Sequence, residues 1–160
     1  MSEHNPSEKV TKELEKVNKV WNNLISNIHE KSNNERINSL LSQVMIEYYL
    51  ERIAIMTGIG TKDEVRNIRF DTLLEKLKEK RLIVTDFEED LLRLYKIRNI
   101  YAHEIEIHER QIFDLINGVK TVQDPMKYDE TERISKVKEI LLRGVQRLFM
   151  ETLVHEEENN

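Results

Sequence analysis

One arginine and one histidine of this chain are spaced so that they could do acid–base chemistry on an anionic substrate. His103 follows Arg98 by five positions, and no other arginine of the chain has a histidine at that distance. Imidazole gains and loses a proton near neutral pH, so it can act as a general acid or base. Guanidinium stays charged and binds two oxygens of a phosphate at once. The residue types are therefore those that a reaction at a phosphate group needs.

The surroundings of this pair are polar and basic. Asn99 lies four positions before His103, so the two share one face of a helix, and Asn99 is a candidate to orient the imidazole. The whole chain has a net charge of −5, yet every charged side chain of segment 91–103 is basic. Those residues are Arg93, Lys96 and Arg98. This basic segment is a candidate contact for an anionic ligand, and ordinary charge scatter is the alternative.

Helix geometry limits how Arg98 and His103 can meet. Five residues of an ideal helix rotate the side-chain direction by about 140°. The two side chains therefore converge only if the helix ends or bends near His103, or if two chains meet.

The pattern of apolar residues predicts helices throughout, because these residues recur at three- and four-residue steps. We expect helices over residues 7–29 and 35–57, a third after Asp71, a fourth from Thr85 to the motif, a fifth over 109–120, and a last helix capped by Asp129. Four glycines and two prolines are too few for the turns of a sheet protein. The sequence therefore predicts an all-α, up-and-down bundle of about five helices. It forms a single domain over residues 7–155, with disordered termini at 1–6 and 156–160.

Three pairs of residues have the spacing of a helix-starting capping box, in which the side chain of a threonine or aspartate precedes an acid by three positions. These pairs are Thr61 with Glu64, Thr85 with Glu88, and Asp129 with Glu132. The first predicts only a short turn. The other two predict the starts of the fourth and last helices.

The second predicted helix is apolar on most of its sides. Its early part carries Ile37, Leu40, Leu41 and Val44, and residues 45–56 are mostly apolar. A helix that is buried all round lies at the centre of a bundle or in an oligomer interface. The sequence is compatible with both positions.

Composition excludes several classes of protein. The chain has no cysteine, which excludes disulfides and zinc-thiolate sites. No apolar stretch is long enough to span a bilayer, and the first residues lack the apolar core of a signal peptide. The spacing of His103, Glu104, His108 and Glu109 fits no standard metal site. We therefore expect a cytoplasmic protein without a membrane span, a cofactor or a metal.

The motif Arg98-Asn99-Ile100-Tyr101-Ala102-His103, in a chain of helices, resembles the HEPN superfamily over about residues 7–154. Members are small helical domains with an arginine, four to six residues and a histidine, and a polar residue often follows the arginine. The toxin branch often has a tyrosine two positions after the histidine, where this chain has Ile105.

The resemblance implies metal-independent endoribonuclease activity that leaves a 2′,3′-cyclic phosphate, in a toxin–antitoxin, defence or stress system. It implies a homodimer whose two motifs face each other, and an antitoxin or another protein as a further partner. Arg98 and His103 would be catalytic with support from Asn99, and Tyr101, Lys96 and Arg93 would contact RNA.

Two other interpretations account for the same residues. A non-catalytic regulator or adaptor of this kind would dimerise and bind a protein or RNA, and a purely structural dimer would have no use for the motif. In such proteins Arg98 would pair with a carboxylate of a neighbouring helix, and His103 would cap its own helix, whose C-terminus favours a cation. Tyr101 would then be core packing.

Overall fold

The regular secondary structure of the part of the chain that the structure describes is all helical, without a strand. The structure is a computed structural model that describes residues 8–31, 35–104 and 108–160, apart from the side chains of residues 21, 23–31, 35–36 and 130–131. Its helices are α1 (Glu8–Lys31), α2 (Glu35–Met56), α3 (Lys62–Arg66), α4 (Phe70–Glu79), α5 (Thr85–His103), α6 (Glu109–Asn117) and α7 (Glu130–Glu158), with a 3-10 helix (Pro125–Lys127) before α7. The all-α class is confirmed. These seven helices exceed the expected number of about five, partly because the predicted turn at Thr61 is the short helix α3.

Helix α2 lies at the centre of the bundle and contacts α1, α3, α4, α5 and α7. Its inner face carries Ile46, Leu50 and Ile53, none of which is exposed. The partners of this face include Leu91 of α5 and Phe149 of α7, which are equally buried. Helix α2 therefore lies at the bundle centre, which is one of the two positions that its sequence allowed.

The start of α2 lies beside the second half of α5 and the start of α7. Ser39, Ser42, Gln43 and Ile46 of α2, Leu94 and Ile97 of α5, and Lys138 of α7 line one small cavity. At the opposite end of α2, Lys80 from the turn before α5 donates a 2.6 Å hydrogen bond to the carbonyl oxygen of Thr57. Helix α5 therefore runs antiparallel to α2, and the end of α5 that carries the motif lies near the start of α2.

Two of the three predicted capping boxes act at a helix start. The Thr61 side chain accepts from the Glu64 backbone N–H, and the Glu64 side chain accepts in return from the Thr61 N–H. Asp129 likewise accepts from the backbone N–H of Glu132 at 3.1 Å. The prediction for Thr85 is wrong, because α5 begins at Thr85 itself, after Val84, without a side-chain cap.

The side chain of Glu88 explains the missing cap on α5. It is only 9% exposed and accepts a 3.0 Å hydrogen bond from Nζ of Lys78 on α4. The carboxylate therefore joins two helices and is not available to the start of its own.

Helix α6 is shorter than expected because a buried carboxylate captures the backbone beyond it. Asp90 of α5 has no exposed surface, and it accepts hydrogen bonds from the backbone N–H groups of Lys120 and Thr121 at 2.7–3.0 Å. These N–H groups would otherwise extend α6, which ends at Asn117. Asp90 thus fixes the α6–α7 connection to α5.

The C-terminal boundary differs from the prediction. Helix α7 continues to Glu158, so the expected disorder at 156–160 is wrong for residues 156–158. The Asn159 side chain donates to the carbonyl oxygen of His155 at 2.9 Å and thereby satisfies one of the last helical carbonyls. The predicted disorder at residues 1–6 lies outside the described residues. None of the described helices is long and apolar enough to cross a membrane.

Candidate active site at the end of helix α5

Helix α5 has one buried face and one polar face. Leu91, Leu94, Ile97 and Tyr101 pack into the core together with Asp90. The opposite face carries Lys96 and His103, which are exposed, and Asn99, which is half-buried. Steps of three and four residues place these three side chains along one line of the helix surface. We call Lys96, Asn99 and His103 the polar face of α5.

Arg98 is half-buried and is held on two sides. Its Nη1 donates a 2.9 Å hydrogen bond to Oδ1 of Asn99. On the other side its Cζ lies 6.0 Å from the centroid of the Tyr95 ring, a distance at which a cation is attracted to an aromatic face. The Tyr95 ring stacks in turn on Phe70 of α4, with ring centroids 4.8 Å apart.

These contacts do not neutralise the charge of the Arg98 guanidinium. It forms no ion pair with any described carboxylate, including Glu104. Its Nε is buried and has no hydrogen-bond partner. Arg98 is therefore oriented by neutral groups and keeps its charge for a ligand, in contrast to the interpretation in which a carboxylate neutralises it.

His103 is the last residue of α5 and is exposed. It makes no hydrogen bond or ion pair with the described residues. The chain leaves the helical conformation only at Glu104, whose φ and ψ are −91° and 131°. The imidazole is thus accessible, at a helix end that also favours a cation.

Arg98 and His103 of one chain point in different directions. Helix α5 is unbroken through His103, so the five-residue separation rotates the side chains by about 140° and moves them about 7 Å along the axis. The helix does end near His103, which was one condition under which the two side chains could converge. His103 itself is still helical, so its side chain keeps the direction that the helix gives it. One chain alone does not bring the two side chains together.

The structure changes the role that the sequence suggested for Asn99. Its carbonyl oxygen is engaged by Arg98, and it forms no hydrogen bond with His103, although the two lie on one face. Asn99 therefore orients the arginine and not the histidine.

The three predicted RNA-contacting residues have different environments. Lys96 is exposed two turns before His103 on the polar face. Arg93 is half-buried, and its guanidinium packs so closely on Gly118 that a Cβ there would lie 2.3 Å from Nη1. It thus lies at the C-terminus of α6, where a positive charge is favoured. The basic residues of segment 91–103 do not form one continuous face.

Tyr101, which was predicted to contact RNA, faces the interior of the bundle in this conformation. Tyr101 is only 7% exposed and belongs to the hydrophobic core. Its spacing of four residues from Ile97 and seven from Leu94 places it on the buried face of α5. The alternative interpretation, core packing, describes this tyrosine.

Sequence reasoning missed the aromatic support of Arg98. Tyr95 precedes Arg98 by three positions, a spacing at which helical side chains meet, so this contact was open to prediction. Phe70 belongs to a different helix, and no local signal connects it to Arg98.

The basic charge near the other end of α5 is neutralised. Lys120 forms ion pairs with Glu89 and Asp86. The hydrogen bond from Lys120 lowers the pKa of the Glu89 carboxyl below its ordinary value and raises that of the Lys120 ammonium. Among the described residues no group of three histidine, aspartate or glutamate side chains could hold a metal ion.

No family model, curated protein or solved structure matches this chain. The interpretation of the site therefore depends on the six residues from Arg98 to His103 and on the geometry described above.

Proposed function

We propose that this protein is a metal-independent endoribonuclease of the HEPN type, with Arg98 and His103 as its catalytic pair. The observation that supports this most is the accessible end of α5. There the imidazole has no partner among the described residues, and the arginine is held by a ring and an amide without a neutralising carboxylate. A structural arginine–histidine pair would have its charge satisfied within the fold.

The proposed reaction is a transesterification within the RNA. The ribose 2′-oxygen forms a bond to the adjacent phosphorus, and the bond from phosphorus to the 5′-oxygen of the next nucleotide breaks. His103 accepts the proton of the 2′-hydroxyl as general base, and the leaving 5′-oxygen takes a proton from water. Arg98 stabilises the charge on the non-bridging oxygens. The products are a 2′,3′-cyclic phosphate and a 5′-hydroxyl.

The geometry of α5 favours a site built from two chains. Arg98 and His103 diverge by about 140° on one helix, whereas a two-fold dimer can place His103 of one copy opposite Arg98 of the other. The same dimer forms two such sites, which its two-fold axis relates to each other. A homodimer is therefore part of the proposal, with Lys96 on the His103 face as a contact to the RNA backbone.

An RNA cleavage assay tests this function. Purified protein is incubated with a mixed RNA substrate in excess EDTA, and the product ends are identified. We expect cleavage that survives EDTA, leaves cyclic phosphate ends and disappears in His103→Ala and Arg98→Ala. His155→Ala and Arg143→Ala are matched controls, because both residues are exposed on α7 and neither belongs to the candidate site. A folded wild-type protein that cleaves none of several RNAs would rule the function out.

Two observations favour a second candidate, a non-catalytic regulator or adaptor. Glu104 follows His103 directly, and a carboxylate at this place repels an RNA phosphate. The Arg98 side chain is also half-buried, as an arginine with a structural role would be. Such a protein, in a toxin–antitoxin, defence or stress system, would bind RNA or a partner protein without cleaving RNA, and the same assay separates the two candidates.

A further inference from the structure

The small cavity between α2, α5 and α7 is polar on the side that α2 contributes. Ser39 and Gln43 line it and are only 3% and 2% exposed, and Ser42 beside them is half-buried. Ser39 precedes the other two by three and four residues, so all three lie on one side of α2. Polar groups that are buried in this way need hydrogen-bond partners. The rest of the lining consists of Ile46, Leu94, Ile97 and Lys138.

Lys138 of α7 determines the role of the Ser39 hydroxyl. The lysine is 7% exposed, and its Nζ donates a 3.2 Å hydrogen bond to Oγ of Ser39. An ammonium group can only donate, so the serine oxygen is the acceptor of this bond. The hydroxyl hydrogen of Ser39 is then left to donate to a further group.

The side-chain amide of Gln43 needs a donor. Its Nε2 donates a 3.0 Å hydrogen bond to Oε1 of Glu47, and this bond fixes the orientation of the amide, because a carboxylate only accepts. The amide oxygen, Oε1, is buried and has no hydrogen-bond partner among the described residues. A buried amide oxygen without a donor costs free energy, so a donor is required at this place.

Ser42 contributes a second acceptor. Its hydroxyl donates a 2.8 Å hydrogen bond to the carbonyl oxygen of Asn38, so the lone pairs of its Oγ can still accept. The cavity therefore presents one donor, the hydroxyl of Ser39, and two acceptors, the oxygens of Gln43 and Ser42.

We propose that this cavity binds one ordered water molecule, which accepts from Ser39 and donates to Oε1 of Gln43 and Oγ of Ser42. Three hydrogen bonds are typical of a buried water. About 10 Å³ of the cavity is open to the centre of a water molecule. That is room for one water, and not for a second at hydrogen-bond distance, about 2.8 Å.

The water extends the contact between α7 and α2. A chain of hydrogen bonds then runs from Lys138 through Ser39 and the water to Gln43, and each bond in such a chain polarises the next. The water takes the Ser39 hydrogen, so the serine oxygen is held in the orientation that accepts from the buried ammonium group.

The same groups select water over an ion. The ammonium group of Lys138 repels a cation in this cavity, and the amide oxygen of Gln43 repels an anion. Water fits both, because it donates and accepts. This site does not depend on the proposed function, and its occupancy is measured without RNA.

A crystal structure at a resolution that shows ordered water tests the site in the wild-type protein. We expect one peak of electron density within about 3.2 Å of Oγ of Ser39, Oε1 of Gln43 and Oγ of Ser42. Absence of this peak, or a Gln43 oxygen that is paired with a protein donor, would overturn the proposal. This result needs no variant.

Two variants test which side chain holds the water. Gln43→Leu roughly keeps the volume but removes the acceptor, so we expect the peak to disappear. Gln146→Leu is the matched control, since Gln146 of α7 donates to the hydroxyl of Tyr49 and does not line the cavity, and we expect it to keep the peak. A peak that persists in Gln43→Leu, or that is lost from both variants, would refute the assignment. Circular dichroism before crystallisation checks that each variant is folded.

Discussion

Two arginines of this protein, Arg133 and Arg98, are held in opposite ways. Arg133 is 6% exposed, and its three nitrogens donate to the carbonyl oxygens of Pro125 and Tyr128 and to Oδ1 of Asn117, all within 3.1 Å. Arg98 donates one hydrogen bond to Asn99 and lies beside a ring. The first arginine closes the connection between α6 and α7, whereas the second keeps donors unused.

The difference shows what separates a structural cation from one that can act on a ligand. Removing a guanidinium group from water costs much free energy, so a buried arginine is found where hydrogen bonds satisfy all of its donors. An arginine that is oriented on two sides and has no carboxylate partner keeps most of its capacity to bind phosphate.

The largest expected effect is on catalysis by Arg98. Arg98→Ala should lower the RNA cleavage rate by about 1000-fold, because an electrostatic contact to the transition state is lost. The free energy of unfolding should change by less than about 1 kcal/mol, because only one side-chain hydrogen bond is removed. Cleavage kinetics and urea denaturation measure the two effects. A stability loss as large as that of Arg133→Ala would show that Arg98 is structural.

The next effect is on stability at Arg133. Arg133→Ala should lower the free energy of unfolding by about 3 kcal/mol, since two carbonyl oxygens and an amide lose the charged donor of a buried side chain. Urea denaturation of Arg143→Ala provides the control, because Arg143 is exposed and pairs with Glu139 of its own helix. An Arg133→Ala protein as stable as the control would contradict the comparison.

A smaller effect separates charge from shape at Arg98. Arg98→Lys keeps the charge but loses the planar fork and the packing against Tyr95, so we expect cleavage to fall by about tenfold. The rate at saturating RNA shows whether the transition state is affected. Full activity would mean that a point charge suffices at this position.

The smallest expected effect concerns a different arginine, Arg93. In Gly118→Ala the new Cβ displaces the guanidinium of Arg93, the flexible end of a side chain, so we expect a destabilisation of about 1 kcal/mol or less. Cleavage should be unchanged, because Arg93 does not share a face with Arg98 or His103. Thermal denaturation and the cleavage assay measure the two quantities, and a large loss of cleavage would place Arg93 in the site.

Periodicity in the sequence predicted the helices well because each amphipathic stripe is a local property. It located α1, α2 and α5 within a few residues of their observed ends. It misread Thr85, because Glu88 binds Lys78 of another helix. It did not identify the exposed side of α2, because that side depends on which neighbouring helices cover it.

The same distinction applies to the candidate site: some of its features follow from local spacing, and others depend on contacts between distant segments. The motif and the polar face of α5 follow from spacing alone. The ring of Phe70 behind Tyr95 and the seat of Arg93 on Gly118 are contacts between distant segments, which spacing does not encode. The burial of Tyr101 also follows from its spacing to Ile97, whereas the motif predicted that this residue contacts RNA.

The central claim is that Arg98 of one copy and His103 of another act on the same phosphate. Its most direct test is a heterodimer of one Arg98→Ala chain and one His103→Ala chain, purified through two different tags and assayed for RNA cleavage in EDTA. Each homodimer should be inactive, and the heterodimer should recover about half of the wild-type rate, because one of its two sites is intact. An inactive heterodimer of folded chains, beside an active wild type, would contradict the claim.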